Sequence, residues 1–165
     1  MVSWPASALQ VAGQRQWQHP WQSGGMVFSD DQELGTAIRD ADSPTWSVRA
    51  AAGRHLARSR GIDEVADILH RLLLDPQDTA VTWETAKALL ERIDAMGLRL
   101  VLLARSYAAD EATADEIQAA LDCNSDWMTP AGADRLTKHL RDLAMDEDAG
   151  VRDEARRILD RLRPV

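Results

Sequence analysis

The 165-residue sequence has a single cysteine, Cys123, so it can close no internal disulfide. One thiol beside four scattered histidines also falls short of the paired-ligand spacing that a zinc site requires, and neither a metal nor another cofactor is expected. Tyr and Phe occur once each. With few β-branched runs, no period-two alternation is long enough to support a strand. Long apolar runs are missing too: the densest, LRLVLLA at 98–104, is far short of the roughly 20 residues a membrane span needs. The N-terminus shows no basic segment leading into an apolar one and a small-residue cleavage site, so a secretory leader is not expected. The expected setting is a reducing cytoplasm, away from any membrane.

Positive charge is scarce as well. Lysine and arginine total 19 against 27 aspartates and glutamates, a formal net charge of −8, and only Lys87 and Lys138 are lysines. Non-specific affinity for nucleic acid comes from neutralising phosphates and releasing their counterions. An acidic chain would need a segregated basic stripe for that, and the sequence writes none, so DNA or RNA is a disfavoured partner. Nor is there a G-x-S-x-G, a glycine-rich phosphate loop or an H-E-x-x-H, and no catalytic activity is expected.

What the sequence does contain divides in two. Residues 1–28 hold three of the six tryptophans (Trp4, Trp17 and Trp21) and five glutamines, with Arg15 the one charged residue before Asp30. They read as an irregular or disordered tail, an artefact of expression or start-site assignment if the working start is Met26. Residues 29–165 read as one helical domain.

In that domain, helices are expected at 30–40, 44–59, 64–74, 79–93, 95–108, 111–122, 130–145 and 148–162. Ser29 with Gln32 has capping-box spacing, Ser43 and Thr129 each precede a proline, and Asp63, Asp78 and Asp110 stand at N-cap positions. Gly61 stands where a helix should stop. Short connections make consecutive helices antiparallel neighbours. The helices opening at 44, 79, 111 and 148 repeat one ladder at i, i+4 and i+8: Val48, Ala52, Leu56; Thr82, Ala86, Leu90; Thr113, Ile117, Leu121; Val151, Ala155, Leu159. These positions share a face, and the small middle residue admits a neighbouring helix. Leu56, Leu90 and Leu159 are therefore expected to be buried. A helix pair cannot bury such a face alone, so a repeated ladder implies stacking.

The segments SPTWSVRAAAGRHLA at 43–57 and DEDAGVRDEARRILDRL at 146–162 resemble the first helix of a HEAT repeat. The likeness extends over about residues 30–162. The copy at 79–93 has Thr82-Trp83 in place of Val-Arg, and the copy at 111–122 keeps only the ladder. The resemblance implies an all-α fold of about seven to eight helices, a short right-handed α-solenoid of antiparallel pairs whose concave face, lined by second helices, grips a partner. It also implies that Arg49 and Arg152 tie repeats to acidic turns, through Asp42 or Asp78 and through Asp115.

On that face the outward residues are Asp67, Arg71, Arg135, Lys138 and Arg141, with Trp46 as an aromatic anchor at a unit opening. The helix AMGLRLVLLARSY, apolar almost all round, should be the buried centre. Trp83 and Trp127 read as covers over hairpin ends. His55, His70 and His139 read as surface or boundary residues, and Cys123, between acidic neighbours near a helix end, as passive. Acidic pairs at helix starts answer the helix dipole without catalysis.

The function these features imply is a non-catalytic protein-binding module: an adaptor, a regulatory subunit or a toxin-neutralising partner. The alternative is a helical-repeat enzyme acting on nucleic acid in the manner of a glycosylase, or a cofactor lyase. A protein or peptide is the expected partner. The oligomeric state does not follow from the sequence.

Overall fold

A computed structural model describes residues 25–162, with side chains from Asp31 onward. Among the described residues the regular structure is helical throughout: α1 (Gly25–Asp40), α2 (Trp46–Ala57), α3 (Ala66–Leu73), α4 (Thr79–Leu90), α5 (Ala95–Tyr107), α6 (Glu111–Asp122), α7 (Pro130–Leu143) and α8 (Ala149–Leu162). Single 3₁₀ turns at Ile62–Val65 and Ser125–Met128 precede α3 and α7. The expected tail lies, for residues 1–24, outside the described residues.

Most helix starts follow from capping chemistry. Asp78, Asp110 and Thr129 accept from the amides of Ala80, Thr113 and Gly132, as their positions in the sequence imply. Asp94 and Asp148 do the same for Gly97 and Val151. Three expected caps differ. α1 begins at Gly25 and runs through Ser29, so that serine lies inside the helix. Ser43 accepts the amide of Thr45 and α2 starts after Thr45, two residues beyond the expected start. Asp63 sits within the 3₁₀ turn, whose leading residue is Gly61.

The helices pack as two rows. α2 lies against α4 and α4 against α6; α3 lies against α5; α3 and α5 both pack on α4, and α1 covers α2. The ladder is the cause: Ala52, Leu56, Ala86, Leu90, Ile117 and Leu121 are all buried in these contacts. At the α2–α4 crossing Gly53 lets the helices approach so closely that a Cβ there would stand 2.2 Å from Thr85 Oγ1. The hydroxyls of Thr82 and Thr85 are buried on α4 without a hydrogen-bond partner.

Two expectations about the ladder need correction at its ends. Leu159 is only partly buried while Ile158 beside it enters the core, and Val48 is likewise only partly buried. For Leu159 the reason is the placement of α8. In a regular two-row stack α8 would lie beside α6, but its main neighbours are α5 and α7. The helix is therefore rotated toward the second row, and Val151, Ala155 and Ile158 become its buried stripe.

α5 is the buried centre, as expected, with Gly97, Leu98, Leu100, Val101, Leu102 and Ala104 in the core. Its two arginines reach α8 and the turn before it. Arg99 grips Asp146 through two bonds of 2.7 and 3.0 Å, and Arg105 reaches Glu154 at 2.7 Å. No helix among the described residues is long and apolar enough to cross a membrane.

Candidate functional site

The residues singled out for partner contact fall on two separate helices. Asp67 and Arg71 lie one turn apart on the exposed side of α3, and Arg71 pairs with Asp42 in the turn after α1. Arg135, Lys138 and Arg141 are exposed on α7. Arg135 holds Asp126 through contacts of 2.7 and 3.0 Å, which fixes the 3₁₀ turn against α7. α5 stands between α3 and α7 and meets both. The two groups therefore form two charged surfaces, divided by α5 and the α8 seated on it. Trp46 opens α2 in the other row and is 48% exposed. Trp83 and Trp127 are partly buried against the core, as covers of hairpin ends would be.

The most buried ion pair among the described residues is one whose acidic half the sequence does not make obvious. Arg49 is 4% exposed and Asp75 5% exposed, and the guanidinium meets the carboxylate in a fork of 2.6 and 3.0 Å. Its remaining nitrogen donates to the carbonyl of Ser43 at 2.9 Å. Neither expected partner is used, because Asp42 is taken by Arg71 and Asp78 caps α4. Burial works against ionisation of Asp75, but Arg49 and the amides of Gln77 and Asp78 outweigh it and hold the carboxyl below its ordinary range. Asp75 raises the Arg49 pKa in turn, burial opposing it. The signal was present in the sequence as Asp75-Pro76-Gln77-Asp78, two acids around a proline before a helix.

Arg152, the counterpart of Arg49, also departs from expectation. It makes no bond to Asp115 and donates instead to the carbonyls of Asp146 and Glu147. The two arginines nonetheless share one local role. Arg49 and Arg152 each donate to a carbonyl six residues earlier, of Ser43 and Asp146, and so brace the turn that leads into their own helix.

Ion pairs also bridge adjacent helices. Arg54 meets Glu84 at 3.0 Å between α2 and α4, and Glu154 is shared by Arg105 and Arg157. The arginines of α2 are thus largely neutralised where they stand.

Among the histidines, His55 is exposed and His139 partly so. His70 is half-buried at the end of α3, edge-on to Tyr107 with ring centres 5.7 Å apart, and its Nε2 is buried without a hydrogen-bond partner. Burial lowers its pKa, and the nearby Asp67 only partly offsets this. The unfolded chain therefore takes up a proton that the folded one resists, and stability declines as pH falls below about 6.5. His70→Phe, which cannot titrate and leaves no orphaned nitrogen, is expected to flatten this decline between pH 7.5 and 5.5. Urea midpoints across that range check it, and an unchanged slope would refute the assignment.

Cys123 is exposed. Among the described residues no group of His, Cys, Asp and Glu side chains could hold a metal ion. No family model matches the chain, and neither a curated protein nor a solved structure matches it.

Proposed function

We propose that the chain is a non-catalytic protein-binding module built as a short right-handed HEAT-like α-solenoid, acting as an adaptor, a regulatory subunit or the neutralising partner of a toxin in the cytoplasm. The observation that carries the reading is the row of α2, α4 and α6 packed through one repeated ladder. A fold that spends its apolar surface on stacking leaves long, polar helix faces for recognition. Asp67 and Arg71 on α3, and Lys138 and Arg141 on α7, lie on such faces, with Arg135 and Trp46 at their margins. Mixed charge of this kind suits a protein surface, where complementary potentials set specificity and association rate. A glycosylase-like enzyme would need a continuous basic groove, whereas here arginines such as Arg54, Arg99 and Arg105 are matched by carboxylates.

Affinity capture from the native host tests the proposal. Wild-type chain is expected to retain one stoichiometric protein, and the Arg71→Glu, Lys138→Glu, Arg141→Glu triple variant to lose it. Retention by both would move the contact surface elsewhere; repeated capture of nothing would overturn the binding role.

A further inference from the structure

We draw no further inference here: the strongest candidate, the apolar hollow of about 430 Å³ between α6, the Ser125–Met128 turn, α7 and α8, walled by Leu121, Trp127, Leu136 and Ile158, carries none, because Asp122 and Arg161 both line it and nothing among the described residues shows what covers it.

Discussion

Arg49→Met is expected to lower the free energy of unfolding at pH 7 by about 3–5 kcal/mol, a large share of what a single domain possesses. The cost arises less from a lost attraction than from what stays behind. Asp75 remains 5% exposed with only the amides of Gln77 and Asp78 to accept, and the Ser43 carbonyl loses its donor. Adding Asp75→Asn to Arg49→Met should recover part of the loss, because a neutral amide tolerates burial that a lone carboxylate does not. The pH dependence has a definite sign. The folded-state pKa of Asp75 is held below its unfolded value, so the wild-type benefit is complete above about pH 4 and is lost as pH falls through the lower folded value. The gap between wild type and Arg49→Met should therefore narrow in acid. Urea denaturation at pH 7 and pH 3.5 measures both, and a gap that does not change would mean that Asp75 is not the group involved.

Leu56→Ala should cost about 2–5 kcal/mol, since Leu56 is fully buried where α2 meets α4 and the close-packed neighbours can only partly collapse into the space left. The same truncation at Leu159, its equivalent in the ladder, should cost about 1–2 kcal/mol, because α8 turns that side chain partly into solvent. Thermal melts of the two variants decide the matter. Equal losses would mean that α8 continues the first row and that its seat on α5 is not kept in solution.

That contrast also shows what the sequence made legible. Helix positions and the ladder are properties of local spacing, so they could be read directly: Ala52, Leu56, Ala86, Leu90 and Leu121 are all buried. The departures arise where a long-range partner competes. The resemblance offered Asp42 or Asp78 as the mate of Arg49, but the Asp42 carboxylate pairs with Arg71 on α3 and Asp78 caps α4, which leaves the buried site to Asp75, 26 residues away from Arg49. The placement of α8 depends on Arg99 and Arg105 of α5 finding Asp146 and Glu154 across more than forty residues, a pairing that no periodicity encodes. The candidate contact residues were placed on exposed faces because polar helical positions are easy to recognise. Their division into an α3 group and an α7 group was not, since it follows from which helix covers α5.

The approach of α2 to α4 at Gly53 has a further bearing. With Thr85 Oγ1 occupying the space where a Cβ at position 53 would go, the two sites share one small volume. A methyl gained on one helix is accommodated only by atoms given up on the other, so variants of this chain should be found to change there in concert or not at all.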